Sequence, residues 1–401
     1  MATCVVLGAQ WGDEGKGKVV DRFAGGAAVV VRFQGGANAG HTIWHGPKKV
    51  VLHQLPSGIL TPGCLNLIGN GCVVDPLLLV EEIEALRADG VEIGPERLGL
   101  SSLAHLVLPV HRWLDALAGG QVGTTGRGIG PTYADKALRI GVRAAAILDG
   151  RLKAASMDAL DQHRDRLGRG SLDTSWIEGF AVACARLAPF VRDVRPELEA
   201  ALRQGQNVLY EGAQGALLDL DLGTYPFVTS SSTALGGALT GTGVFTAFDR
   251  RIAVVKAYTT RVGHGPFPTE IEGPLGEDLR ARGHEYGATT GRPRRCGWLD
   301  LPLLREATRA SGYTGLALTK LDCLSGLAEL RVAVDRDAQG APIYTSLPGW
   351  AEDIAGAPSL GSLPRAARTY VDFVCEGVGV PLCLLSTGPD RDQTLLLEVP
   401  W

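Results

Sequence analysis

Short runs of apolar residues recur along the chain, and most of them close on a glycine-rich or polar segment. Cys4-Val5-Val6-Leu7, Ala28-Val29-Val30-Val31, Val50-Val51-Leu52 and Leu65-Asn66-Leu67-Ile68 form the first group. Leu106-Val107-Leu108, Asn207-Val208-Leu209-Tyr210, residues 251–255, Gly315-Leu316-Ala317-Leu318 and Pro381-Leu382-Cys383-Leu384-Leu385 continue it. Continuous rather than alternating apolar character predicts strands buried on both faces, as in parallel sheets. Between them the spacing turns helical. Asp75 reads as an N-cap and Pro76 as a first helical residue; Leu79, Ile83 and Leu86 share a face, and Gly90 ends the helix. Further helices are predicted after residue 18, over 112–117, over 299–309 from the start signals Asp300 and Pro302, and over 365–376. Residues 119–133 read as a glycine-rich loop, and 144–204 as mostly helical without glycine motifs.

This alternation predicts an α/β fold, a large mostly parallel central sheet flanked by helices. Although the length would allow two or three domains, no linker or composition break divides the chain. The expectation is a single domain over 1–401 with a helical scaffold insertion at roughly 144–205. Ligands of such sheets gather at the carboxyl ends of the strands, so the loops after residues 7, 33, 210, 318 and 385 should share one rim.

Composition changes this picture only in detail. Glycine makes up 54 of 401 residues, about twice the usual share of about 7%; with 45% apolar residues, that favours tight ligand-facing loops over disorder. A formal charge of −4 excludes a general nucleic-acid surface. Eight cysteines without a C-x-x-C pair predict reduced, buried thiols in a cytoplasmic protein. The chain enters a strand at once, so no secretory signal is expected. Residues 222–248 carry no charge, but Gly, Ser and Thr fill 14 of the 27 positions. They read as loop, not membrane span.

Chemistry concentrates in a few loops. Gly12-Asp13-Glu14-Gly15-Lys16-Gly17-Lys18 follows the first strand and opens a helix. Backbone N–H groups of such a turn, together with a helix N-terminus, hold phosphate. The spacing matches a P-loop, yet Val19 stands where that motif has a magnesium-binding hydroxyl, so Asp13 or Glu14 is expected to replace it. Thr319-Lys320-Leu321-Asp322 at a strand end resembles the Asn-Lys-x-Asp base reader of GTPases, whose aspartate accepts from guanine N1–H and the exocyclic amine. Asn38-Ala39-Gly40-His41 offers a general acid beside a glycine turn. Thr289-Thr290-Gly291-Arg292-Pro293-Arg294-Arg295 is the densest basic loop, and arginine forks there imply an acidic substrate. Gly123-Thr124-Thr125-Gly126-Arg127-Gly128 and Thr229-Ser230-Ser231-Ser232 are hydroxyl-rich loops of similar type.

Residues 10–18, 36–42, 123–131 and 289–298 together resemble the adenylosuccinate synthetase family, and the resemblance extends to the Ser386-Thr387-Gly388-Pro389-Asp390-Arg391 segment. The chain is shorter than typical members, with the trimming expected between 145 and 205. The resemblance implies a P-loop-NTPase-like fold and a magnesium- and GTP-dependent ligation of IMP to L-aspartate through a 6-phosphoryl intermediate. It implies that Asp13 takes the N1 proton and binds the metal, with the Gly40 carbonyl as a second ligand, and that His41 stabilises the transferring phosphate. GTP would lie against Gly12 to Lys18, Gly40, His41 and Thr42, with Lys320, Leu321, Asp322, Ser386, Thr387, Gly388 and Arg294 about the base. Asn38, Ala39, Thr125, Gln214, Thr229 and Arg292 would hold the monophosphate, and Ala288, Thr289, Thr290, Gly291, Arg292, Pro293 and Arg294 the aspartate carboxylates. Arg139 is expected to cross a homodimer interface. No nucleic-acid or membrane partner is implied. The alternative is a P-loop GTPase or kinase-type phosphotransferase. A regulatory GTPase, however, would carry Ser or Thr after Lys18 and have little use for Arg292 and Arg294.

Overall fold

The computed structural model describes residues 2–45, 48–117, 124–168, 173–287 and 291–401. Ten strands build the central sheet: β1 (Thr3–Gly8), β2 (Val29–Arg32), β3 (Leu65–Ile68), β4 (Leu98–Ser101), β5 (Val191–Arg192), β6 (Val208–Glu211), β7 (Arg250–Lys256), β8 (Gly315–Thr319), β9 (Leu382–Ser386) and β10 (Thr394–Leu396). Their order is β10-β9-β8-β7-β1-β6-β2-β3-β4-β5. Every neighbouring pair is parallel except the β9–β10 edge. The parallel run explains the continuous apolar segments: β1, β2, β6 and β8 are buried at every position, which requires cover on both faces.

On one face Val19, Val20, Phe23 and Ala24 of the helix Lys16–Ala24 pack on Cys4, Val6, Val30, Leu209 and Val254. On the other, Val5, Leu7, Val31, Tyr210 and Val255 join a core that includes Leu301, Leu304, Tyr370 and Val374 from the helices Leu301–Ser311 and Arg365–Val378. The expected caps are present. Asp75 accepts from Leu78 N and Asp300 from Leu303 N, each ahead of a proline.

Because β1, β2, β6, β8 and β9 run parallel, the loops after residues 7, 33, 210, 318 and 385 leave the same edge of the sheet. The structure departs from the expectations in several places, among them the runs at 50–52 and 106–108, which lie outside the central sheet. Residues 119–133 are not all loop: a helix, Ile129–Leu138, starts inside that stretch after a left-handed Gly128. Likewise, residues 222–248 contain the helix Leu235–Thr242, whose glycines hid it. The stretch 144–204 is mostly helical, as expected, but it also supplies β5, which pairs with β4 and closes one sheet edge. A two-residue strand is too short to leave a periodic signal. Outside the sheet, Glu329–Arg336 and Pro342–Pro348 form an antiparallel hairpin that the pattern did not mark.

Candidate active site

The P-loop is built around a carboxylate that faces inward. Glu14 is fully buried; its Oε1 accepts from Gln10 N (3.0 Å) and Gly12 N (2.9 Å), and its Oε2 meets Lys16 Nζ at 2.5 Å. Glu14 therefore shapes the turn, and Asp13 presents the outward acid. Asp13 has φ 60° and a partly exposed side chain, and its Oδ2 lies 2.8 Å from Arg294 Nε. Gly15, at φ 93°, opens the helix Lys16–Ala24, which has no side-chain cap. Its first N–H groups are thus available to an anion. Gly17 is required by packing, since a Cβ there would lie 2.8 Å from His41 Cβ and 3.2 Å from His41 Cα.

His41 begins the hairpin of His41–His45 with Lys48–Leu52. Its Nδ1 hydrogen-bonds Glu211 Oε1, at the end of β6, while Ser57 N and Oγ donate to the same carboxylate at 2.7 Å each. Burial pushes the imidazole pKa down and Glu211 pulls it back up, with the net shift downward. Burial would likewise raise Glu211, but hydrogen bonding and charge from His41 hold it below the usual carboxylate range. The pair fixes one ring nitrogen and leaves Nε2 as the other, so His41 is aimed as well as buried. Beside it Asn38 Oδ1 accepts from Gln214 Nε2 (3.3 Å), and Gln34 Nε2 donates to Gln214 Oε1 (3.3 Å). Gln214 takes a left-handed backbone, φ 57°.

The third wall carries Thr319-Lys320-Leu321-Asp322. Thr319 Oγ1 donates to Glu14 O at 2.6 Å, tying β8 to the P-loop. Lys320 (φ 57°) sends Nζ to Gly283 O and to Glu285 Oε1, the latter at 3.0 Å. Asp322 Oδ1 is buried without a hydrogen-bond partner from another residue among those described, and burial raises the Asp322 pKa. A buried orphan acceptor is costly unless a ligand supplies the donor. Lys18 does not stay with the turn: Nζ donates to Ser386 Oγ (2.8 Å), Gly388 O (2.7 Å) and Gln393 O (3.2 Å). Burial lowers its pKa to about 8, against the pull of Asp322 and Asp390. Leu321, Ser386, Thr387 and Gly388 are buried as well.

The structure thus brings together Gly12 to Lys18, Asn38, His41, Gln214, Arg294, Lys320, Asp322 and Ser386 to Gly388. Ala39 and Gly40 lie in the turn before His41, and Thr42 pairs with Val51. Gly291, Arg292 and Pro293 are exposed, and Gly287 N donates to Arg292 O at 2.8 Å. Gly123, Ala288, Thr289 and Thr290 lie outside the described residues. Thr125 and Arg139 are exposed, and among the described residues no hydrogen bond or ion pair links their side chains to this cluster. Thr229 is held by its N–H on Leu218 O (2.8 Å).

A separate brace supports Arg139. His111 Nε2 meets Asp135 Oδ2 at 3.0 Å and His163 Nε2 meets it at 2.9 Å, all three buried. Three such ligands could converge on a cation. However, His111 Nδ1 accepts from Leu108 N at 2.9 Å, so Nε2 carries the proton and offers no lone pair. The cluster is a hydrogen-bonded clamp on the helix Ile129–Leu138, whose C-cap is Arg139 at φ 66°.

Sequence reasoning gave no role to Glu211 or Glu285, the two buried acids that orient His41 and the basic loop. Their signal was an acid ending a wholly apolar strand and a lone acid between glycines in a basic segment.

Comparison with known proteins completes the picture. A protein-family model described as adenylosuccinate synthetase matches residues 5–395. The adenylosuccinate synthetase of Moorella thermoacetica is 49% identical over 431 aligned positions spanning all of both chains, so it carries insertions that this chain lacks. That of Nitratidesulfovibrio vulgaris is 48% identical over 98% of this chain and 99% of its own. Among solved structures, fully ligated adenylosuccinate synthetase from Plasmodium falciparum superposes with a TM-score of 0.93 at 37% identity, covering 98% of this chain and 99% of that one. A cyanophage S-2L succinoaminodeoxyadenylate synthetase shares the fold at TM-score 0.66 and 21% identity, over 99% and 95% of the two chains. Matched by the family's model over nearly its whole length and close to half identical to bacterial members, the chain belongs to the adenylosuccinate synthetase family, GTP-dependent ligases that join IMP to L-aspartate.

Proposed function

We propose that the reaction runs at the rim just described, with Asp13 as the base and His41 as the group that meets the transferring phosphoryl. The observation that carries this reading is the pairing of two differently held groups across the P-loop. Asp13 projects its carboxylate from a strained left-handed turn, and His41 is fixed by buried Glu211 against Gly17. Asp13 removes the N1 proton of IMP, which makes O6 nucleophilic; O6 attacks the γ-phosphorus of GTP, and GDP leaves. The amine of L-aspartate then attacks C6, and phosphate departs with the O6 oxygen. With Nδ1–H on Glu211, His41 turns Nε2 toward the phosphoryl, whose negative charge favours the protonated ring. Arg294 neutralises Asp13 until substrate arrives and, with Arg292 and the 288–291 segment, receives the carboxylates of aspartate.

Lys320 and Asp322 read guanine. The unpartnered Asp322 Oδ1 suits the N1–H and exocyclic amine donors of that base. Ser386, Thr387 and Gly388 flank it, with Leu321 beneath. Asn38, Ala39, Thr125, Gln214, Thr229 and Arg292 take the monophosphate. Magnesium fits the donor set: a carboxylate on Asp13 and the Gly40 carbonyl are hard oxygen ligands, and Val19 adds none. Asp13 and Gly40 would hold the ion, which when bound neutralises phosphate charge. The enzyme acts as one domain and as a homodimer, with Arg139 reaching the partner's monophosphate. Its position at a helix end beside exposed Leu138 supports that role. A cytoplasmic location accords with eight free cysteines; among the described residues no helix is long and apolar enough to cross a membrane.

Orthophosphate release from GTP, with IMP and aspartate omitted in turn, tests the assignment. Release is expected only with both present and with GTP rather than ATP. Aspartate-independent release, or equal use of ATP, would assign the site to a GTPase or kinase-type phosphotransferase instead.

A further inference from the structure

Glu285 is the most heavily engaged side chain near the site, and the chemistry above gives it nothing to do. It is fully buried. Oε1 takes Lys256 Nζ at 2.8 Å, Tyr258 Oη at 2.5 Å and Lys320 Nζ at 3.0 Å, and Oε2 takes Arg294 Nη1 at 2.8 Å. Arg294 N also donates to Glu285 O at 2.9 Å. Burial would push this carboxyl pKa up, but the charges of Lys256, Lys320 and Arg294 hold it well below the ordinary range. Lys256 is itself fully buried, and its pKa is lowered by burial. One carboxylate therefore balances three cations that come from β7, the end of β8 and the basic loop.

Two of those cations serve different pockets, Lys320 the guanine and Arg294, which the resemblance also sets near the base, the aspartate carboxylates. Arg294 also contacts Asp13 at 2.8 Å. The chain Lys320–Glu285–Arg294–Asp13 thus crosses the whole site, and Glu285 is its one member with no substrate contact assigned to it. We propose that Glu285 is a positioning residue that sets the nucleotide-base pocket and the amino-acid pocket from a single anchor, so that neither can be placed independently of the other. The proposal rests on the assignment of Lys320 to guanine and Arg294 to aspartate.

Neutralising Glu285 removes the counter-charge that Lys320 meets and one of the two that hold Arg294, the other being Asp13. In buried networks, loss of one partner leaves the remaining charges unpaired and free to reorient. The monophosphate contacts assigned to Asn38, Thr125, Gln214 and Thr229 lie outside this chain, which meets IMP only through Asp13 at N1.

Steady-state kinetics on the full-length protein test this with three variants. Lys320→Met should raise KM for GTP alone, and Arg294→Met should raise KM for aspartate at least as much as any other. Glu285→Gln should raise both, roughly tenfold or more each, with KM for IMP changed less than about threefold and the GTP-to-ATP preference reduced. If the Lys320 and Arg294 variants behave so but Glu285→Gln alters only kcat or thermal stability, Glu285 is structural and the proposal fails. If the Lys320 and Arg294 variants do not separate the two substrates, the underlying residue assignment fails instead. Should Glu285→Gln not fold, Lys256→Met combined with Glu285→Gln removes one cation with the carboxylate and carries the same readout. Unchanged KM values for GTP and aspartate in that folded pair would overturn the proposal.

Discussion

Glu211 shows how a single buried carboxylate can orient a buried imidazole, here the ring proposed to meet the phosphoryl. Replacing it with Gln keeps the shape but removes the charge that counters the burial of His41. Glu211→Gln is expected to lower kcat by about 10²-fold, within the range of a mispositioned general acid, with little change in KM for GTP; an unchanged kcat would remove Glu211 from the catalytic geometry. If Asp322 reads guanine as proposed, Asp322→Asn puts an amide in place of that acceptor, so KM for GTP should rise roughly 10- to 100-fold, and rejection of other purine triphosphates should relax, as competition kinetics would show. Lys18 adds a pH dependence. Its folded pKa of about 8 lies below the usual 10.5, so its charge costs stability at neutral pH. Stability from this group rises between those two values, because the folded chain has already released the proton that the unfolded chain still binds. Nucleotide binding should move the other way: as pH rises through about 8 the ammonium that holds Ser386, Gly388 and Gln393 is lost, and KM for GTP should climb. In Lys18→Arg, whose charge persists, that alkaline limb should be absent.

At the scale of elements, the junction between the helix Lys16–Ala24 and the hairpin of His41 is the most tightly specified contact. Gly17→Ala would drive a methyl into His41, and the helix cannot retreat because Val19, Val20 and Phe23 are buried on β1 and β2. Expected is a loss of about 1–3 kcal/mol in stability and a drop in kcat of at least tenfold, read by thermal melts and by turnover of the same preparation. How much of this was legible in the sequence depends on the kind of signal. β1, β2, β6, β8 and β9 could be read because strands buried on both faces are apolar throughout. The helices opened by Asp75-Pro76 and Asp300-Leu301-Pro302 could be read because their caps are local. The helix Leu235–Thr242 could not, since Gly237 and Gly241 are required there by close packing on Ser232 O and Phe33 O, a tertiary fact. Nor could β5, whose two residues owe their strand state to β4. The loops carrying Asp13, His41 and Asp322 announced themselves by glycine spacing and polar type. Glu211 and Glu285 did not, because a positioning acid is defined only by what surrounds it after folding.

For the whole molecule, Arg139 poses the sharpest question. It stands exposed at the end of a helix clamped by Asp135 between His111 and His163. Arg139→Leu should raise KM for IMP at least roughly tenfold, as loss of a phosphate-binding charge does. Mixing it with a variant disabled at Asp13 should restore activity through hybrid dimers, measurable after co-refolding; absence of complementation would confine each site to one chain. The sheet order carries a consequence for biosynthesis. β1 is the earliest in sequence of the ten sheet strands, yet it lies in the middle of the sheet, between β6 and β7. Ala2 finds Asn207 only 205 residues later, and β7 follows that. A nascent chain shorter than about residue 256 therefore exposes Cys4-Val5-Val6-Leu7 as an unpaired apolar edge. Release from the ribosome before that point leaves a fragment fit for chaperones or proteases, and the sheet's centre is sealed only late in translation.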